Sequence, residues 1–191
     1  MEIDARDGRS LYRTLAGAVV PRPIGWIATR GPDGDNLAPY SFFNVATPQP
    51  PTLAFSAGDG RDGLKDSARN AVESGAFTHN VVTGDLTDAM NETATGEDVD
   101  EFDRAGLEKA ESAVVDAPRV AASPVSFECS VVETVDYGAS TLVLGRVQYV
   151  HVGDRVTTDG KLDTGKLDAL GRLAGSAYTH TCDRFELERP D

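Results

Sequence analysis

A glycine-rich stretch runs directly into polar residues that could bind an anion. Gly58 to Gly63 precedes Lys65, Asp66 and Ser67, and the residues after them predict a helix that ends at Gly75. Either Asp66 or Ser67 would cap this helix. Free backbone N–H groups, the positive end of the helix dipole, an ammonium and a hydroxyl would then meet at one point. The pattern predicts an anion site, although an ordinary helix cap with a solvent-facing lysine fits the same residues.

Other catalytic motifs find little support. The glycine stretch misses the P-loop spacing, because Leu64 stands where that motif requires its lysine. The histidines, His79, His151 and His180, are far apart in the chain and belong to no zinc motif. No serine lies in the GxSxG context of a hydrolase nucleophile. Residue types and spacing therefore indicate one candidate site and no acid–base dyad.

The elements that must position this site are mostly strands. A doubly wound sheet is not expected, because the extended stretches are not separated by regular helices. The pattern instead predicts a mainly β fold with flanking helices, as in a closed antiparallel barrel with helices packed outside. Extended stretches are predicted at 24–29, 37–45, 52–56, 77–82, 125–135 and 141–152, a turn at 31–34, a glycine loop at 58–63, and helices at 66–75, within 85–106 and within 166–170.

Charge limits the possible partners. Asp and Glu number 31 against 18 Lys and Arg, a net charge of −13, so nucleic acid is not an expected partner. Hydrophobic residues make up 40% of the chain, too many for a disordered acidic segment. We interpret the acidic bias as that of a halophilic protein, whose self-repulsion would be screened over about 3 Å in 1 M salt. An ordinary acidic protein has a similar composition.

Size and cysteine content predict a cytoplasmic domain. The 191 residues fit one domain, residues 1–191, and no apolar run approaches the roughly 18 residues of a membrane span. The first residues, Met1 to Asp4, lack the basic and apolar regions of a signal peptide. Cys129 and Cys182 are expected to be unpaired thiols in a reducing compartment, with a single disulfide as the alternative.

Several motifs, in the same order, resemble the flavin reductase-like domain family. The similarity spans nearly the whole chain, and the SFFN-type and KDS-type motifs together are fairly specific. The matching segments are PRPIGWIAT at 21–29, NLAPYSFFN at 36–44, PPTLAFS at 50–56, KDSARN at 65–70, NVV at 80–82, SPVSFEC at 123–129 and GRLAGSAY at 171–178.

The resemblance implies a fold, a cofactor and a set of binding residues. The fold would be an antiparallel FMN-binding split β-barrel of the Greek-key type, usually a homodimer with its flavin sites near the subunit interface. FMN would be held without a covalent bond. The flavin would be lined by Thr29, Ser41, Phe42, Phe43 and Asn44, its ribityl tail and phosphate held by Ser56, Lys65, Asp66 and Ser67, and Arg172 would reach the flavin of its own or the partner subunit.

The activity implied is that of a flavin reductase. Reduced nicotinamide would deliver hydride to the flavin, which passes electrons to an acceptor, so no acid–base dyad is needed. Two alternatives stay open: an electron carrier with little nicotinamide turnover, and a binding module without redox turnover. For Trp26 and Phe42, core packing and contact with a ring ligand are both compatible with the sequence.

Overall fold

Antiparallel strands dominate the computed structural model, which describes residues 2–60 and 63–190. The strands are β1 (Arg22–Pro23), β2 (Gly25–Gly31), β3 (Gly34–Tyr40), β4 (Phe43–Pro48), β5 (Pro51–Gly60), β6 (Gly63–Leu64), β7 (Ala76–Asn80), β8 (Lys109–Ala110), β9 (Arg119–Val120), β10 (Val125–Asp136), β11 (Ser140–Val152), β12 (Thr157–Thr158), β13 (Lys161–Leu162), β14 (Leu170–Arg172) and β15 (Tyr178–His180). The α-helices are α1 (Tyr12–Ala18), α2 (Asp66–Ser74), α3 (Thr87–Glu92) and α4 (Glu101–Arg104), with 3-10 turns at Ala5–Asp7, Gly84–Leu86 and Asp154–Val156.

The main sheet curls until its two edges nearly meet. Its hydrogen-bonded order is β3-β2-β7-β10-β11-β5-β4, with β6 paired to β5, so β3 and β4 are opposite edges. Flat, this row of strands would separate those edges by about 29 Å, at about 4.8 Å per neighbour. Ser41 and Phe42 alone join β3 to β4, and such a link spans at most about 11 Å. The sheet must therefore close on itself, and the unpaired edges leave it split at that link.

The strand order confirms the predicted split barrel. Within the sheet β7, β10 and β11 follow one another, since β8 and β9 pair only with each other. β5 lies beside β11, and the chain connects it to β7 through β6 and α2. This is a Greek-key arrangement. The two longest strands, β10 and β11, form its central hairpin, as the alternating pattern predicts. No helix in the described part of the chain is long and apolar enough to cross a membrane.

Two apolar cores lie on the two faces of β2, whose successive side chains alternate between them. One core fills the barrel and receives α2, joining Ile27, Phe55, Phe77, Ala68 and Ala71. The other lies outside the barrel, beneath α3 and α4. Its members are Ile24, Trp26, Ala28, Leu37, Val82, Leu86, Met90, Phe102, Val120 and Leu170.

The helix after the glycine stretch is present, but its first residue is capped differently from the prediction. Lys65, not Asp66 or Ser67, is the N-cap, with extended backbone and no side-chain cap hydrogen bond. Gly75 ends the helix with φ 72°, a conformation that favours glycine. Asp66 and Ser67 are the first two residues of the helix, and the Ser67 hydroxyl donates to Asn36 instead of capping it.

The predicted glycine loop is a tight hairpin. β5 continues to Gly60 and pairs with β6, in the register Gly60 with Gly63, while residues 61 and 62 lie outside the described residues. Gly58, Gly60 and Gly63 also have the GxGxxG spacing of a dinucleotide fingerprint. That fingerprint requires a parallel βαβ unit, and these glycines instead belong to an antiparallel hairpin in a barrel. The spacing is therefore coincidental.

Three predicted elements are wrong in extent or type. The extended stretch at 37–45 breaks at Ser41 and Phe42, where the chain passes between the sheet edges. The helical pattern at 85–106 divides into α3 and α4, because the Asp100 side chain caps a new helix by accepting the N–H groups of Phe102 and Asp103. Residues 166–170 form no helix; the Leu170 N–H bonds the Val82 carbonyl at 3.0 Å, and β14 follows.

Both cysteines are free, as predicted, with Cys129 buried and Cys182 exposed. Cys129 lies in the barrel core, where burial raises its thiol pKa to about 12. A thiol in that environment is an apolar core residue and a poor nucleophile.

Candidate functional site

A cavity of about 1210 Å³ opens where the barrel is split. Its walls come from the end of β3, the Ser41–Phe42 link, β5, the start of α2, and the segment between α3 and α4. Its lining residues are Asp33, Asn36, Ala38, Pro39, Tyr40, Ser41, Phe42, Ser56, Gly58, Leu64, Lys65, Asp66, Ser67, Arg69, Thr93, Ala94, Thr95, Gly96, Glu97, Asp98 and Glu101.

The start of α2 brings to one end of this cavity the groups that the sequence predicts for an anion site. Because Lys65 caps the helix without a side-chain bond, the first-turn N–H groups have no side-chain acceptor. The first intrahelical bond is from the Arg69 N–H to the Lys65 carbonyl, at 2.9 Å. The Lys65 side chain is exposed and has no carboxylate within ion-pair distance among the described residues. An ammonium and free N–H groups thus converge on the cavity.

Carboxylates also line the cavity, beside its apolar residues. Asp33, Glu97 and Asp98 are carboxylates at its border, and Glu101 lies deeper. The second cation of the wall, Arg69, is paired with Asp66 at 2.5 Å. Within the part of the cavity that the structure describes, Lys65 is therefore the cation left for a ligand.

A polar chain fixes the inner end of the cavity. The Ser67 hydroxyl donates to Asn36 Oδ1, and Asn36 Nδ2 donates to Glu101 Oε1 at 2.9 Å. The other carboxylate oxygen of Glu101 accepts the Leu37 N–H at 3.1 Å. Burial raises the pKa of Glu101 despite these bonds. The chain ties α2, β3 and α4 together and holds the cavity walls in place.

The link between the sheet edges is anchored on both sides. The Ser56 N–H donates to the Phe42 carbonyl at 2.8 Å, which joins the link to β5. The Phe43 ring packs into the barrel against His79, with ring centroids 4.3 Å apart. Burial lowers the pKa of His79 to about 3, so this ring is neutral at ordinary pH. Phe42 stays 45% exposed at the cavity border.

Six of the ten predicted binding residues line the cavity: Ser41, Phe42, Ser56, Lys65, Asp66 and Ser67. The other four lie around it. Thr29 is fully buried and its hydroxyl has no hydrogen-bond partner among the described atoms. Phe43 points into the core, and exposed Asn44 accepts the Val45 N–H at 2.8 Å. Arg172 lies in a separate pocket of about 150 Å³ that shares part of its wall with the cavity.

Sequence reasoning missed the residues that reach the cavity from a distance. Asn36 and Tyr40 belong to the quoted NLAPYSFFN segment, which could have drawn attention to them. Glu101 and the 93–98 segment carry no such signal, since an acidic stretch usually forms a solvated surface. Trp26, whose role was open, is a fully buried core residue that donates its indole N–H to Thr93 at 2.9 Å.

Comparison with known proteins identifies the family. The model of the flavin reductase like domain matches residues 17–167. The chain belongs to this family. An uncharacterized protein of Deinococcus radiodurans is 42% identical over 93% of this chain and 84% of the relative. YwrF of Bacillus subtilis is 35% identical, covering 99% of this chain and 98% of the relative.

Solved structures agree with the family assignment. The chain is similar to nitrilotriacetate monooxygenase component B from Bacillus cereus, with a TM-score of 0.93, 30% identity and 98% coverage of both chains. It has the fold of Pseudomonas fluorescens 2-nitrobenzoate 2-nitroreductase NbaA, with a TM-score of 0.89, 24% identity and coverage of 99% and 96%. Membership of the flavin reductase like domain family indicates a flavin cofactor and oxidoreductase chemistry.

The cavity has the donor set that a flavin requires. A phosphate needs N–H donors and a cation, which the start of α2 supplies with Lys65. A planar ring needs apolar walls, which Pro39, Tyr40, Phe42 and Leu64 supply. The volume of about 1210 Å³ exceeds the roughly 300–1000 Å³ of a typical ligand site. The residues present therefore fit a bound flavin.

Proposed function

We propose that this protein binds FMN without a covalent bond and, as a flavin reductase, passes electrons from a reduced nicotinamide to an acceptor. The observation that carries the proposal is the cationic cluster of Lys65 and the start of α2, which shares the described cavity wall with the carboxylates Asp33, Glu97 and Asp98. FMN has one phosphate group, which matches one cluster of Lys65 and helix N–H groups. FAD carries a second phosphate, which would face Asp33, Glu97 and Asp98. The charge distribution thus favours the mononucleotide.

The cavity residues divide into a phosphate end and a ring end in this proposal. Lys65 and the first-turn N–H groups of α2 bind the phosphate, while Ser56 and Ser67 hold the ribityl chain. Asp66 keeps Arg69 paired. Tyr40 and the Ser41–Phe42 link provide the surface on which the ring lies. When bound, FMN supplies the redox chemistry by taking up hydride and releasing electrons.

The remaining predicted residues act indirectly or at a distance in this proposal. Phe43, packed in the core, and Asn44, which bonds the next N–H, hold the link that carries Phe42. Thr29 lies on β2 opposite Asn36 in register, so its side chain is on the same face of the sheet as that member of the polar chain. Burial raises the Tyr40 pKa to about 12, so the phenol stays protonated and neutral. These groups orient the flavin and take no proton from it.

We also infer that two copies of the chain associate through α1. Apolar side chains are exposed along one side of the helix and at the residue that follows it: Tyr12 is 62%, Leu15 55% and Val19 60% exposed. The Tyr12 ring lies edge-on to Phe42, with centroids 6.3 Å apart, which connects this face to the cavity border. Contiguous exposed apolar residues of this kind mark protein interfaces. A homodimer would place its interface beside the flavin site.

The test starts with the protein as purified. Absorbance near 450 nm, or its gain on soaking in FMN with a 1:1 end point, is expected if FMN binds. A parallel titration with FAD should give weaker binding. Colourless protein that takes up no FMN would defeat the proposal.

Turnover then separates the reductase from its alternatives. Steady-state oxidation of NADH and NADPH with added FMN is expected to exceed the rate of free FMN. An electron carrier or a binding module would bind FMN with little nicotinamide oxidation. Turnover therefore separates the reductase from these two alternatives.

A further inference from the structure

We propose that the small pocket around Arg172, which adjoins the flavin site, is a binding site for a monocyclic aromatic carboxylate. The pocket holds about 150 Å³ and adjoins the large cavity through a shared wall of Pro39, Tyr40, Ser41 and Ala94. That volume is below the roughly 300 Å³ at which typical ligand sites begin, so it admits a single ring and no nucleotide. The assignment does not depend on which flavin the protein binds.

The wall of this pocket combines apolar and aromatic side chains with the polar groups of Ser41 and Arg172. Ile24 and Met90 belong to the outer core, and their buried side chains form one side. Tyr178 forms the other side and packs against that core. Flat rings favour such surroundings, because aromatic and apolar walls bury their faces and edges without unpaired polar groups.

Charge sets the pocket apart from the large cavity. None of its lining residues is acidic, although the chain carries a net charge of −13 and carboxylates line the adjoining cavity. The cation is Arg172, whose guanidinium carbon lies 4.3 Å from the centre of the Tyr178 ring. Its one protein acceptor among the described residues is the Gly175 carbonyl. Most of the guanidinium fork is thus free for a ligand.

A second arginine adds positive charge on the same strands. Arg22 is the register partner of Arg172 across β1 and β14, and opposite residues of an antiparallel pair lie on one face. Arg22 is only 8% exposed, and its guanidinium bonds three backbone carbonyls, those of Ala16, Val19 and Leu173. No carboxylate within the described chain pairs with it, and its Nε has no partner. Arg22 does not line the pocket, so Arg172 is the arginine that a ligand there would contact.

The chemistry of the pocket selects the ligand class. A planar guanidinium binds a carboxylate with two parallel hydrogen bonds, which a point charge cannot do. The stacked Tyr178 holds the guanidinium plane, so less freedom is lost when the ligand binds. A carboxylate on one aromatic ring satisfies both the cation and the apolar walls. Acetate lacks the ring, and benzamide lacks the charge.

Benzoate is the probe that tests this site. Calorimetric titration of the full chain, both flavin-free and saturated with FMN, should show saturable 1:1 binding of benzoate. Benzamide and acetate should bind at least about tenfold more weakly, since a charge-assisted hydrogen bond contributes about 1.5–3 kcal/mol. Equal binding of benzamide, or no saturable binding of benzoate, would overturn the proposal.

Variants locate the binding. Arg172→Met keeps the length of the side chain and should lower benzoate affinity at least about tenfold. Ala94→Phe fills the shared wall and should lower it while leaving the guanidinium in place. Arg146→Met, at an exposed position on β11, is the control and should change nothing. Melting temperature confirms folding of each variant.

Two further outcomes would refute the proposal. Benzoate affinity unchanged in Arg172→Met would place binding elsewhere and refute the proposal. Inorganic phosphate binding as tightly as benzoate, with the same sensitivity to Arg172→Met, would show a general anion site and refute the aromatic class. Because the titration is run without flavin, a failure of FMN binding leaves the result for benzoate interpretable.

Discussion

Lys65 is a candidate phosphate ligand because of its position in the fold more than because of its charge. It is one of four lysines in the chain, and it stands at the helix end that opens into the cavity. The neighbouring cation, Arg69, is occupied by Asp66. A second residue, Glu128, has the opposite character: a fully buried carboxylate whose bonds stay within the protein. A substitution at each of these two residues tests its role separately.

Replacement of Lys65 by alanine should weaken FMN binding. A charge-assisted hydrogen bond contributes about 1.5–3 kcal/mol, which corresponds to roughly ten- to a hundredfold in affinity. Flavin fluorescence quenching measures the change, and the exposed Lys161→Ala on β13 is the matched control. Unchanged affinity in Lys65→Ala would show that Lys65 is a surface residue that does not bind FMN.

Replacement of Glu128 by glutamine should reduce stability in a pH-dependent way. Burial alone would raise the Glu128 pKa, but bonds from the Ala113 and Val114 N–H groups and His151 outweigh it and lower the pKa. A lowered folded-state pKa stabilises the fold above the ordinary value of 4.5, and this contribution is lost as pH falls through the folded value. The variant should lose about 1–3 kcal/mol at pH 7.

Urea unfolding at pH 7 and pH 3 measures the Glu128 effect. The difference between wild type and Glu128→Gln should shrink at the lower pH. Glu133→Gln, on an exposed position of the same strand, controls for loss of a carboxylate and should have little effect at either pH. A difference that stays constant with pH would show that packing, not charge, makes Glu128 stabilising.

At the scale of elements, the site depends on how β2 and the link between the sheet edges fit together. Phe43 fills the space above Gly25, and a Cβ at that glycine would lie 2.6 Å from the Phe43 ring. The absence of a side chain at Gly25 therefore lets Phe43 pack into the barrel. Through Phe43, β2 determines where Ser41 and Phe42 stand at the cavity border.

Gly25→Ala should disturb the site from outside it. Overpacking of this kind costs about 1–3 kcal/mol, and the displaced Phe43 should move the link and weaken FMN binding. Thermal unfolding and FMN titration measure the two effects. Gly17→Ala in α1 is the control, because its new Cβ would meet Ala174 at an ordinary 3.9 Å. Full FMN affinity in Gly25→Ala would show that the packing of Phe43 does not affect FMN binding.

At the scale of the whole molecule, surface charge and an exposed apolar helix decide how the protein behaves in solution. The net charge of −13 on 191 residues opposes compaction at low salt. The exposed apolar face of α1 favours the association of two chains. Salt and oligomeric state are therefore the quantities to vary.

Leu15→Glu should convert the expected homodimer to monomers. A carboxylate in an apolar interface cannot keep its hydration there, so association should weaken severely. Light scattering in high salt measures the mass, with Thr14→Glu, on another side of α1, as the control. Wild-type protein that is monomeric yet binds FMN would contradict the interface.

Melting temperature should rise with KCl concentration up to molar levels. Screening reduces repulsion among the surplus carboxylates, since the Debye length falls to about 3 Å at 1 M. A parallel series in sodium sulfate at equal ionic strength distinguishes two causes of stabilisation. Screening would raise the melting temperature equally in both salts, whereas salting-out of apolar surface would raise it more in sulfate. Maximum stability at low salt would contradict a halophilic adaptation.

The elements that the sequence predicts correctly depend on patterns among residues close together in the chain. The helix after Lys65 and its stop at Gly75 follow from apolar spacing and a left-handed glycine. The β10–β11 hairpin follows from two-residue alternation. The family motifs then indicate the barrel and its flavin, because they span nearly the whole chain.

Tertiary structure alone decided where distant residues meet. The break at Ser41–Phe42 exists because the sheet closes there, and no local pattern encodes which edges come together. Glu101 reaches the cavity because α4 docks on β3, and Arg172 enters its pocket because β14 pairs with β1. Such placements depend on long-range pairing, whose loop-closure entropy is offset only by the whole packed barrel. A lysine at the start of a helix could be predicted from the sequence; the acidic residues that share its cavity could not.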